Sequence, residues 1–113
     1  MPDNCLFCKI IRGEVPADKL YEDDEVLVFR DIAPQAPVHF LVIPKEHLTG
    51  PAAATQENER LMGKLLRIGA ETAAKEEIPH FRVVANNGSQ AGQTVFHLHV
   101  HILGGRYMAW PPG

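Results

Sequence analysis

Phe96-His97-Leu98-His99-Val100-His101-Ile102-Leu103 sets an imidazole at every second position, with an aliphatic residue between each pair. A period of two belongs to a β-strand, so His97, His99 and His101 are expected on one face, with Leu98, Val100 and Ile102 in the layer behind. Successive imidazoles on such a strand stand about 6.5–7 Å apart, near enough to share a ligand or join a short hydrogen-bond relay. Three histidines alternating with aliphatics form a chemical surface.

The rest of the chain bounds what that surface can serve. At 113 residues the chain has the size of one domain, 1–113. Its 45 % apolar content is that of an ordinary globular protein. The net charge is -3 and the lysines and arginines are scattered, which gives no electrostatic reason to bind nucleic acid. No apolar run approaches the roughly 20 residues that span a bilayer, and Met1-Pro2-Asp3-Asn4 lacks the regions of a secretory signal. A cytoplasmic protein with no membrane partner is expected.

Cys5 and Cys8 are the only cysteines, in Cys5-Leu6-Phe7-Cys8. The pair suits a disulfide, a redox couple or half of a tetrahedral metal site, and spacing alone does not choose. A short helix is expected over Cys5–Ile11, and strands over Lys19–Tyr21 and Val26–Phe29 around an acidic turn, Glu22-Asp23-Asp24-Glu25. Val38–Ile43 reads as a strand ending at Pro44. Thr55 is a candidate cap for a long helix carrying Leu61, Leu65 and Ile68, with Met62, Leu66, Ala70, Ala73 and Ala74 nearby, up to Pro79. Phe81–Ala85 reads as a strand, Asn86–Gly92 as turns, and Gly104-Gly105 releases the histidine strand into a tail, 104–113. Strands on both sides of one principal helix imply an antiparallel α+β fold with the helix covering one sheet face.

The chain resembles the histidine-triad (HIT) superfamily, specifically the nucleotide-binding Hint branch in its bacterial-like, zinc-binding form. The resemblance rests on His97-Leu98-His99-Val100-His101-Ile102-Leu103, Phe29-Arg30-Asp31-Ile32, Pro34 to Lys45, Val83 to Gly88, Gly104-Gly105-Arg106 and Trp110-Pro111-Pro112-Gly113. It implies a five-stranded antiparallel sheet with one long helix and a short N-terminal helix. It also implies a homodimer whose sheet runs through both subunits, with the tail reaching the partner's active site. Trp110 is then an interface or substrate-pocket residue; docking onto its own domain is the alternative.

The same resemblance implies a purine nucleoside phosphoramidase of the adenosine 5'-monophosphoramidase type. His99 is the expected nucleophile, forming a nucleotidyl-histidine intermediate, with its ring oriented by the carbonyl of His97. His101 contacts phosphate and assists the departing amine, and His39 extends the relay. Thr94, Gln93 and Asn86 supply neutral donors, and Gly88 and Gly92 allow close backbone approach to phosphate. Asn86 and Gly88 could equally form only a turn, and Thr94 only satisfy a strand edge. Asp31 matches the family's ribose-binding acid, and Phe7, Ile10, Phe29 and Ile32 its base-flanking residues. No catalytic metal is expected, but structural zinc on Cys5, Cys8, His47 and His97 is, which requires His97 to turn away from His99 and His101. Purine nucleoside monophosphates and their phosphoramidates are the expected ligands. The alternatives are hydrolysis or nucleotidyl transfer from dinucleoside polyphosphates or aminoacyl-adenylates, and a nucleotide-binding interaction protein with incidental catalysis.

Overall fold

The computed structural model describes residues 2–113, so the part of the signal-segment reading that falls on Met1 lies outside the described residues. Helix α1 spans Leu6–Ile11 and is followed by strands β1 (Lys19–Glu22), β2 (Val26–Arg30) and β3 (Val38–Pro44). Helix α2 (Glu59–Lys75), β4 (Phe81–Val84) and β5 (Val100–Gly104) complete the order. The strands form one antiparallel sheet in the order β1-β2-β3-β5-β4. This is the expected α+β HIT-like architecture. Among the described residues, no helix is long and apolar enough to cross a membrane.

Alternation along the strands splits the core in two. Val26, Val28, Phe40, Val42, Val100 and Ile102 face α2, which buries Leu61, Leu65 and Ile68 against them. Gly69 lets the helix approach closely, since a Cβ there would stand 3.1 Å from Ile102 Cδ1. The opposite face carries Leu27, Phe29, Leu41 and Ile43, covered by Cys5, Phe7, Cys8 and Ile10 of the N-terminal segment. A six-residue helix is too short to persist alone, so α1 is held by what it covers.

Three local expectations need correction. Only His101 of the three histidines lies in β5; the chain bends at Val95–His97, and ladder pairing starts at Val100. The lead-in is instead tied by the Leu98 amide, which donates to Leu48 O at 2.6 Å. Thr55 caps the turn before α2: its amide donates to Asn58 Oδ1 and its hydroxyl accepts from the Asn58 amide, and the helix begins one residue later. Leu66, Ala70 and Ala74 form an exposed row on α2, outside its core stripe.

The acidic turn is organised by Asp23. Its Oδ1 accepts from the amides of Glu25 at 2.7 Å and Val26 at 2.8 Å, while Oδ2 accepts from Tyr21 Oη at 2.7 Å and Lys64 Nζ at 2.9 Å. Burial pushes this carboxyl up, but the combined donors outweigh it and hold Asp23 well below the usual range. Asp23→Ala strands two turn amides and the tyrosine hydroxyl, and a loss of about 1–3 kcal/mol is expected. Urea unfolding monitored by circular dichroism checks this.

Candidate active site

Two side-chain clusters lie on the sheet face covered by α1, and His97 belongs to one of them while orienting the other. Its Nε2–H donates to Pro44 O at 2.8 Å, which leaves the Nδ1 lone pair facing Cys5 Sγ at 3.4 Å, Cys8 Sγ at 3.6 Å and His47 Nδ1 at 3.1 Å. His47 Nδ1 in turn lies 3.3 Å from Cys8 Sγ. Zinc bonds of about 2.3 Å to sulfur and about 2.0–2.1 Å to nitrogen, at a tetrahedral angle, set donor edges of about 3.6 Å for S···N and about 3.3 Å for N···N. The four edges that join His97 to Cys5, Cys8 and His47, and His47 to Cys8, match those lengths within a few tenths of an ångström, and all four donors lie within 4.8 Å of one another. Burial, reinforced by the neighbouring Cys5 thiol, pushes Cys8 up to about 11. A divalent cation reverses that balance by stabilising thiolates. The cluster Cys5, Cys8, His47 and His97 therefore has the donor set, spacing and burial of a closed metal centre.

His97 reaches this cluster without crossing to the other face. The bend at Val95–His97 aims its ring along the sheet face toward the Cys5–Cys8 segment, and Phe7 stands between the two groups of imidazoles. The Phe7 ring is edge-on to His97 at 5.9 Å, to His99 at 5.1 Å and to Phe29 at 5.4 Å, centroid to centroid. The expected tension between triad and metal is resolved by this bend.

Hydrogen bonds fix the proton positions in the second cluster. His99 Nδ1–H donates to His97 O at 2.7 Å, so the Nε2 lone pair is free. The Gln35 amide donates to His39 Nδ1 at 3.0 Å, which places the His39 proton on Nε2. That Nε2–H donates to His101 Nδ1 at 2.9 Å, leaving His101 with its proton on Nε2. His39 and His101 are diagonal neighbours across β3 and β5, where His39 pairs with Leu103 and Leu41 with His101. Asp31 Oδ2 lies 3.5 Å from His39 Nε2, and its Oδ1 accepts from the Ala33 amide at 2.8 Å. Burial lowers the pKa of His39 and takes that of His101 to about 4, with the proximity of His99 and His39 adding to the latter; Asp31 opposes both shifts. The relay is neutral at pH 7.

Beside these imidazoles lies a cleft of about 250 Å³. Phe7, Ile10, Phe29, Asp31, Ile32, Thr94, His99 and His101, all selected from sequence, line it. Ile32 stands almost fully exposed at its mouth. Leu6, Arg30, Leu41, Val95 and the Val15-Pro16-Ala17 segment also line the cleft and were missed. Val15 to Ala17 carries no periodicity that would have marked it, whereas Arg30 sits inside a quoted motif and could have been found there. Arg30 is anchored by Glu76 at 2.5 Å and Asp18 at 3.3 Å.

The turn region departs from the sequence reading at one residue. Gln93 is buried, its Oε1 accepts from the Gly88 amide at 2.8 Å, and its Nε2 donates to Thr49 O at 2.8 Å and Val95 O at 3.1 Å. Its side chain braces the loop, with both ends occupied by backbone. Gly88 and Gly92 flank a turn with positive φ of 93° and 95°, conformations that favour glycine. Asn86 lies against this turn, its Nδ2 facing the Gly92 backbone. Trp110 and Tyr107 do not line the cleft and are exposed, so the tail does not bury its aromatic side chains on its own domain.

A five-stranded α+β fold with three neighbouring imidazoles beside an apolar cleft defines the histidine-triad class. The HIT domain model matches residues 12–108, and the chain belongs to the HIT family. It is 54 % identical over the full length of both chains to an uncharacterized HIT-like protein of Synechococcus elongatus. Among solved structures, a HIT family hydrolase from Legionella pneumophila is 46 % identical with a TM-score of 0.94, covering 97 % of this chain and all of that one. A HIT family hydrolase from Clostridium thermocellum is 41 % identical, also with a TM-score of 0.94, covering 96 % of each chain.

The depressed His101 pKa makes stability pH-dependent. Between about pH 6.5 and 4 the unfolded chain binds a proton at this residue that the folded chain does not. The stabilisation is complete above pH 6.5 and lost as pH falls toward 4. With partial solvent access at the ring, the expected loss is on the order of 1–3 kcal/mol, and His39 contributes in the same direction. Thermal unfolding from pH 7.5 to 4 is expected to show a falling Tm, with a shallower fall in His101→Asn.

Proposed function

We propose that the protein is a purine nucleoside phosphoramidase that converts a nucleoside 5'-phosphoramidate and water into nucleoside monophosphate and amine. The observation that carries this reading is the bond from His99 Nδ1–H to His97 O, which leaves Nε2 unprotonated beside an apolar cleft. In this reading the purine lies among Phe7, Ile10, Phe29 and Ile32, and Asp31 accepts from the ribose hydroxyls. The α-phosphate meets Thr94, His99, His101 and the Asn86–Gly92 turn. The His99 Nε2 lone pair forms a bond to phosphorus as the phosphorus–nitrogen bond breaks, and the amine leaves with a proton. His101 supplies that proton from Nε2 as an imidazolium, its pKa raised by the bound phosphate anion and by Asp31. Water then attacks phosphorus, returns a proton to His101 and frees His99. The hydrolase names of the Legionella and Clostridium relatives support the general class.

The metal in the Cys5, Cys8, His47 and His97 centre is proposed to be zinc in a structural role, closed to substrate by its four protein ligands. Residues 1–113 are read as one domain, with 104–113 as a tail that works in a homodimer. Support for the dimer comes from the edge strand β4, with exposed Phe81 and Val83, beside the exposed Leu66-Ala70-Ala74 row, and from the exposed Trp110. Val83→Asp is expected to halve the mass measured by light scattering while circular dichroism stays native.

A second reading draws on the His101 pKa of about 4. A carboxylate or phosphate leaving group departs without protonation, so aminoacyl-adenylates or dinucleoside polyphosphates suit a neutral His101. One experiment separates these readings: compare AMP release from adenosine 5'-phosphoramidate with release from an aminoacyl-adenylate and a dinucleoside polyphosphate, using wild type and His99→Ala. Preferred turnover of the phosphoramidate, falling ~10³-fold or more in folded His99→Ala, is expected. Faster turnover of either oxygen-linked substrate selects the second reading. Nucleotide binding without turnover in wild type selects an interaction protein.

A further inference from the structure

Cys5 and Cys8 belong to the metal cluster, yet the residues between and beside them belong to the nucleotide cleft. Leu6, Phe7 and Ile10 all line that cleft. Phe7 lies in the middle of the C-x-x-C, is 4 % exposed, and touches His97 on the metal side and His99 and Phe29 on the cleft side. The Cys5 thiol also caps α1 by accepting from the Cys8 amide at 3.3 Å. A helix of six residues has little stability of its own, so its position follows from the apolar cluster beneath it and from whatever ties Cys5 and Cys8 to His47 and His97. A second link runs through the backbone: His97 offers Nδ1 to the cluster and its carbonyl to His99.

We infer that the metal centre and the nucleotide cleft are thermodynamically coupled through Phe7, so that metal occupancy tightens nucleoside monophosphate binding and nucleotide tightens metal binding. This rests on the nucleotide reading above. Physically, ligation by all four residues fixes α1 and the Phe7 wall in the binding geometry, so the nucleotide need not order them. Linkage requires the two effects to be equal as factors in the dissociation constants. A factor of about 5–150, the usual range for coupled sites, is expected. Phe7 is a positioning residue for the metal's effect as well as a wall for the base, which distinguishes it from Ile10 and Ile32.

The test uses AMP and zinc as probes. Calorimetry gives the Kd of AMP for zinc-loaded and chelator-stripped protein, with circular dichroism on both. Competition with a chromophoric chelator gives the zinc Kd with and without saturating AMP. Matching factors of about 5 or more in the two measurements, falling toward 1 in Phe7→Ala, support the coupling. Equal AMP affinity in loaded and folded stripped protein overturns it and leaves the nucleotide reading standing. If stripped protein unfolds, the chelator measurement decides: an undiminished factor in Phe7→Ala means that zinc acts through global folding, and the Phe7 route is overturned. Absence of AMP binding in zinc-loaded wild type overturns the nucleotide reading and the coupling with it.

Discussion

The 2.7 Å hydrogen bond from His99 Nδ1 to the carbonyl of His97 is the constraint on which the candidate site depends. An imidazole with both nitrogens free exchanges its proton between them, and only one tautomer presents a lone pair toward the cleft. A backbone carbonyl accepts and never donates, so it selects that tautomer without adding charge. The carbonyl must then be held still. The bend at Val95–His97, the Leu98 amide on Leu48 O, and the His97 ring between Pro44 O and the Cys5, Cys8 and His47 donors all hold it.

The same economy of proton placement runs through the relay. Gln35 N–H, His39 and His101 form a directed chain, each donating to the next, which ends with an N–H on His101 facing the cleft. Burial keeps His39 and His101 uncharged, so their orientation survives without a mobile proton to scramble it. The apolar residues around the cleft form the low-dielectric wall that depresses these pKa values. A site built this way responds strongly to an arriving anion, because the charge is poorly screened and the nearest basic group is neutral.

Much of the architecture was legible because short continuous apolar runs bounded by turn residues mark strands buried on both faces. Val38 to Ile43 and Val26 to Phe29 read correctly as strands, each one residue short of its observed end, and the paired faces follow from their period. The lead-in to β5 misled because His97 and His99 keep the period of two while leaving the ladder; periodicity reports which side a residue faces and says nothing of who pairs with its backbone. Thr55 was displaced as a helix cap because Asn58, three residues on, completes a reciprocal turn before α2. Gln93 and Val15-Pro16-Ala17 were illegible for a different reason. Their roles come from backbone partners and cleft walls distant in sequence, which no local pattern encodes.

The row Leu66, Ala70 and Ala74 illustrates where pattern reading needs the sheet. On a helix wheel, at about 100° per residue, it lies on the side opposite the Leu61-Leu65-Ile68 stripe, so the apolar residues of α2 form two rows rather than one broad stripe. A sheet covers only a limited arc of a helix, and Leu65, with Leu61, Ile68 and Gly69 buried on either side of it, lies near the middle of that arc. Residues far enough around from Leu65, as Leu66, Ala70 and Ala74 are, face away from the core however apolar they are. This second row is out of the sheet's reach, and its Ala70 and Ala74 lie beside Ile78 and Phe81, next to the unpaired edge of β4. An apolar helix row and an open strand edge that adjoin each other form one surface with two complementary features, backbone groups free to pair and apolar area free to be buried.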